Sequence, residues 1–178
     1  MIYRSEIVEH ARCFARRKRR EERRDQDQLC AGRAEAIEEI LVQFGHQHEA
    51  VITSVHICDL VRAGWVTIEE VTVRFGPQTA GIVGELTRRR VCPFEGADLQ
   101  EALHHCRRMS REAALVVLAD CLHRTRNLDR RAPRTELDSY VEGTLRLLDL
   151  LAEADPAMAD QTRTLCERIR EEQNANQS

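Results

Sequence analysis

Helical spacing of apolar residues runs through nearly the whole chain, and no stretch shows the alternation that a half-buried strand requires. Residues 33–44, RAEAIEEILVQF, are the plainest case: Ala36, Ile37, Ile40, Leu41 and Phe44 fall on one side of a helix. A chain built from such segments must bury one stripe of each against its neighbours. The expected fold class is therefore all-α, a helical bundle.

Start and stop signals divide the bundle. A first helix is expected over residues 3–28, with a break at Gly32. Gly45 caps the helix over 33–44, and a buried helix follows at 48–62. Thr67-Ile68-Glu69-Glu70 reads as a capping box, where hydroxyl and carboxylate satisfy the free amides of a helix start. Phe75-Gly76-Pro77 stops that helix, and Pro77 opens the next, which runs to about Thr87. A loop over 91–97 surrounds Pro93 and Gly96. Helices are expected at 98–108 and 110–126, the second capped by Ser110. Thr135 opens a long helix to about Ala154, and Asp155-Pro156 starts the last one. The polar tail 173–178 is expected to fray. With 178 residues and no repeat, a single domain over 1–172 is expected.

Composition narrows the function classes. A net charge of −3 gives no global attraction to nucleic acid or membrane, and 4% aromatics disfavours base-stacking platforms. The seven cysteines are odd in number and form no CxxC, which argues against a disulfide framework and a zinc ribbon and for reduced thiols. The first residues lack an apolar signal core and no run is apolar enough to span a bilayer, so a soluble cytoplasmic protein is expected. The basic stretch ARRKRREERR of the first helix has two readings, a solvated face with ion pairs at i,i+4 or a phosphate-facing helix. His46-Gln47-His48 reads as a polar loop and His104-His105 as a solvent-facing pair.

Three ordered blocks stand out. They are CDLVRAGWVTIEEVTVRFGPQTAGIVGELTR (Cys58 to Arg88), LADCLHRTRNL (Leu118 to Leu128) and GTLRLLDLLA (Gly143 to Ala152). Together they resemble the hydrolase domain of the RelA/SpoT-type HD phosphohydrolases, with coverage of roughly residues 30–152. The resemblance implies an HD-type helical bundle. It also implies a divalent metal, usually manganese, that activates water against the 3′-pyrophosphate of (p)ppGpp. On that resemblance Asp59 and Asp120 match the two aspartate ligands, Cys58 stands at a ligand His, and the early ligand His corresponds to Arg33 or Ala34. The acidic pair that assists proton transfer corresponds to Arg62 and Ala63. Thr87 and Arg88 keep the family's Thr-Lys character, whereas nucleotide-contacting positions have become Arg124, Leu148 and Cys121.

Two aspartates facing each other without a metal would repel by roughly 4 kcal/mol at about 4 Å and an effective dielectric of 20. The expectation is that guanidinium replaces metal, with Asp59 and Asp120 accepting hydrogen bonds from Arg33 or Arg62. The reading that follows is a catalytically degenerate alarmone-hydrolase-like protein without a metal cofactor, binding a phosphorylated guanosine nucleotide through Arg33, Arg62, Thr87, Arg88 and Arg124. Two alternatives stay open. One is an active pyrophosphohydrolase with a remodelled site that still holds manganese or another divalent metal, drawing on Cys58 and His56. The other is a protein or RNA interaction module; self-association is left open.

Overall fold

The computed structural model describes residues 5–21, 27–88 and 99–175; of residues 27–31 only the backbone is described. Among the described residues the chain is helical throughout, with α1 (Glu6–Glu21), α2 (Asp27–Gln43), α3 (Glu49–Arg62), α4 (Ile68–Thr87), α5 (Leu99–Cys106), α6 (Arg111–Arg126), α7 (Arg134–Leu151) and α8 (Pro156–Ala175). They form two compact units, Met1–Arg89 and Arg90–Ser178. The expected loop at 91–97 lies outside the described residues.

The local stop and start chemistry is realised. The Thr67 hydroxyl accepts the Glu70 amide at 3.2 Å, Ser110 accepts that of Ala113 at 3.2 Å, and Asp155 accepts that of Met158 at 2.8 Å. The Glu70 carboxylate turns instead to Arg74, one helical turn on, at 2.9 Å. Gly45 has φ 83, the left-handed geometry of a helix C-terminus. Gly76 has φ 87 and ψ 164, so α4 is two helices joined by a kink, and Pro77 starts the second. One expectation needs correction. Gly32 does not break the helix; it lies inside α2, and the division between the first two helices falls before Asp27. A glycine costs a helix interior only about 1 kcal/mol against alanine, which does not by itself end a helix. The first helix is accordingly shorter than 3–28, and α7 ends at Leu151, ahead of Ala154.

In the first unit α3 packs against α1, α2 and α4. Its core joins Phe14 and Ala15 of α1, Ile57 and Leu60 of α3, and Val71, Phe75 and Val83 of α4. Phe14 and Phe75 meet edge to face with ring centres 5.6 Å apart, and the guanidinium groups of Arg17 and Arg74 lie over Phe14. The basic helix α1 is only partly a solvated face. Arg16 pairs with Glu35 at 2.8 Å and Arg17 with Glu21 at 3.6 Å, but Arg12 and Arg19 are buried. In the second unit α6 and α7 both pack on α8, and Ala113 through Ala119 of α6 are all buried. There the Thr125 and Tyr140 hydroxyls share a hydrogen bond at 2.9 Å beside Cys166 and Ile169. Among the described residues no helix is long and apolar enough to cross a membrane.

Gly76 offers a direct check on the kink. A Cβ there meets nothing within 4 Å, so Gly76→Ala changes only the backbone cost of its glycine-type geometry. The expected loss is about 1–3 kcal/mol in urea unfolding; a neutral substitution would mean that the kink is not held at φ 87.

Candidate functional site

Asp59 and Arg62 lie one turn apart near the end of α3, and the Arg62 guanidinium donates to Asp59 Oδ1 at 2.5 Å. Arg62 also donates to the Leu86 carbonyl at 3.3 Å, tying α3 to the last turn of α4. Cys58 is half-buried, packs against the core, and turns its thiol to the Val55 carbonyl at 3.5 Å. Thr87 donates its hydroxyl to the Val83 carbonyl of its own helix at 2.7 Å. Arg88 follows as the exposed C-cap of α4, and Arg33 is half-buried on α2. In the second unit Asp120 Oδ2 accepts from Arg124 Nε at 3.2 Å, again one helical turn apart. The expected guanidinium contact thus forms at Asp59 with Arg62. At Asp120 it involves Arg124, which the sequence had offered as a ligand contact.

Energetically these are modest pairs. An exposed i,i+3 or i,i+4 pair contributes about 0.3–0.5 kcal/mol, so the significance of Arg62 is its position, beside a carboxylate and in place of an acid. The donor set around Asp59 does not fit manganese. One oxygen is engaged by a fixed cation, the neighbouring donor is a thiol, and His56 is committed elsewhere. Among the described residues no group of three or more His, Cys, Asp or Glu could hold a metal ion. Burial pushes the thiols of Cys106 and Cys166 up, to about 12 and about 11, which leaves them protonated and unreactive.

Sequence reasoning missed the strongest polar cluster of the first unit. Arg12 (7% exposed), Glu38 (4%) and His56 (3%) join α1, α2 and α3 in the core. Arg12 grips Glu38 with two nitrogens, Nη2 to Oε1 and Nε to Oε2, the latter at 3.1 Å. His56 Nε2 reaches Oε2 at 2.9 Å. A carboxylate only accepts, so His56 must carry its proton on Nε2. Burial by itself raises the Glu38 carboxyl, but the hydrogen bonds and charges of His56 and Arg12 outweigh it and hold Glu38 below its ordinary 4.5. Arg12 and Glu38 each look like surface residues in the sequence, and His56 lies on a helix expected to be buried with no visible partner. Only the tertiary register brings them together.

Removing one member of a buried charged cluster strands the rest. Glu38→Gln is expected to cost about 3–5 kcal/mol at neutral pH, measured by urea unfolding. Because the folded carboxyl is depressed, its contribution is complete above about pH 4.5 and fades as pH falls through the folded value. The stability gap between wild type and Glu38→Gln should therefore be flat at higher pH and narrow in acid. A gap that widens in acid would contradict the assignment.

No protein-family model matches the chain, and no curated protein matches it. A solved structure does. It is described as a metazoan ortholog of SpoT that hydrolyzes ppGpp and plays a role in starvation responses. It aligns with a TM-score of 0.72 at 22% identity, covering 97% of this chain and 98% of its own. Its coverage extends beyond the three sequence blocks to nearly every described helix. This chain has the all-helical fold of that SpoT ortholog.

Proposed function

We propose that this protein is a catalytically degenerate form of the alarmone-hydrolase fold, which holds a phosphorylated guanosine nucleotide without cleaving it. The observation that carries the reading is the 2.5 Å contact of Arg62 with Asp59. A guanidinium there neutralises the carboxylate, opposes a second cation, and cannot transfer a proton as an acid–base group. The basic residues that the sequence resemblance assigns to the ligand suit phosphate. Arg33, Arg62 and Arg88 supply donors of fixed charge, and the Thr87 hydroxyl would donate to a phosphate oxygen by turning from the Val83 carbonyl. Arg124 of the second unit is proposed for the same class of contact on the sequence resemblance alone. The nucleotide class comes from the solved neighbour, whose description names ppGpp. No metal is assigned, because the residues around Asp59 do not make a manganese site.

Calorimetric titration of ppGpp into the protein at low salt should give saturable heat that weakens as salt is raised. Arg62→Ala should weaken binding tenfold or more, since a hydrogen bond to a charged group contributes about 1.5–3 kcal/mol. Phosphate-release assays with added manganese should remain at background. Retention of both Asp59 and Asp120 favours the competing hydrolase reading, and chelator-sensitive turnover of ppGpp would establish it. Absence of heat up to high micromolar nucleotide would remove the binding reading.

A further inference from the structure

Arg62 stands where two helices end. It is the last residue of α3, and its Nη1 donates to Asp59 Oδ1 of the same helix at 2.5 Å. Its Nη2 donates to the Leu86 carbonyl at 3.3 Å, in the last turn of α4. The last four carbonyls of a helix have no partner within it, and α4 ends at Thr87, so Leu86 carries one of the four. Arg62 therefore caps α4 from a different helix. The charge suits the place, because a helix C-terminus carries partial negative charge that a cation offsets.

The contact exists because α4 turns back. Along a straight helix Leu86 would lie about 27 Å from Ile68. Ile68 follows α3 after a short connection, with Gly64 at φ 76 and the Trp65 amide bonded to the Leu60 carbonyl at 2.9 Å. A straight α4 would therefore carry Leu86 beyond the reach of Arg62. The corner at Gly76 (φ 87, ψ 164) returns the second half to the end of α3. Val71 and Phe75 before the corner and Ala80 and Val83 after it share one core cluster with Ile57 and Leu60. Corner and guanidinium together make a strap, hinged at Gly76 and held at Arg62. In the last turn of the strap Leu86 is buried, Gly84, Glu85 and Thr87 are half-buried, and Arg88 is exposed. Apolar packing holds this turn at Leu86, and Arg62 holds it at a second point.

We propose that Arg62 is a latch: it closes the last turn of α4 onto the end of α3, and that turn opens as a local unit when the guanidinium is withdrawn. The turn carries Thr87 and Arg88, so Arg62 is also the positioning residue for both. The inference concerns the ligand-free chain and does not rest on nucleotide binding.

Amide hydrogen exchange of the full chain without ligand tests it. In wild type the amides of Leu86, Thr87 and Arg88 should be protected, the last by its bond to the Gly84 carbonyl at 3.1 Å. Arg62→Gln should speed their exchange about fivefold, the factor that one ordinary hydrogen bond adds to a local opening equilibrium, while Val51 to Ile57 of α3 keep their wild-type rates. Arg62→Lys keeps the charge but lacks a planar fork with two separate nitrogens, and its last turn should still exchange about threefold faster than wild type. Nitrogen-15 NMR of the wild-type chain needs no variant. Nη1 and Nη2 of Arg62, each held by its own acceptor, should give separate resonances, not one signal averaged by rotation. Unchanged exchange in Arg62→Gln, equal acceleration along the whole of α3, full protection in Arg62→Lys, or averaged Nη signals in wild type would each overturn the latch. The third would mean that charge at the helix end, and not a bridge between two helices, holds the turn.

Discussion

The Arg12–Glu38–His56 cluster is the constraint on which the first unit depends. Apolar contacts between helices of Leu, Val, Ile and Ala are forgiving, because one aliphatic residue packs nearly as well as another a turn away. A buried carboxylate that needs two particular partners is not. Shifting α1 by one turn against α2 would leave Arg12 and Glu38 uncompensated in the core, a cost of several kcal/mol. The same cluster gains little over an apolar replacement of similar volume. Its role is therefore the choice of one register among several that the aliphatic stripes would allow. That register fixes which residues of α1 lie beside the end of α3, where Asp59 and Arg62 stand.

This explains an unequal distribution of polar partners along α1. Near its middle a cation is fully matched, and toward its end Arg19, on the same bearing, has a buried nitrogen without an acceptor. Outside the core, Arg16, Arg17 and Lys18 all find glutamates, each pair exposed and individually weak. Glu21 and Glu35 serve this solvated side, whereas Glu38 serves the core. The basic residues of α1 thus occupy three environments, and helical phase decides which arginine enters which.

The legible parts of the fold were those whose cause is local. Thr67, Ser110 and Asp155 cap because their own oxygens reach amides three residues on, and Gly76-Pro77 turns because of its own backbone. Gly32 was misread because a glycine signals only tolerance of a break, and the surrounding helix had enough packing to continue through it. Of the candidate site, the Asp59–Arg62 contact was legible because three residues on a helix are neighbours in space. The pairing of Asp120 with Arg124, four residues apart, was equally local and was overlooked because the resemblance had given Arg124 another role. Arg12, Glu38 and His56 were illegible in principle from one sequence: their meeting depends on how three helices pack, and nothing in their local spacing records it.

Charge arithmetic around the end of α3 favours binding over hydrolysis. In the resembling motif this position carries an acidic pair, two negative charges, where this chain has Arg62 and Ala63, one positive charge. The local change is three charges, all in the direction that attracts phosphate and repels a divalent cation. Hydrolysis asks a site to activate water and to move protons, for which an acid–base group and a Lewis acid are needed. Binding asks only for donors held in place. A planar guanidinium supplies donors and charge but stays protonated and so cannot act as an acid–base group at neutral pH; replacing acid by arginine exchanges one capacity for the other.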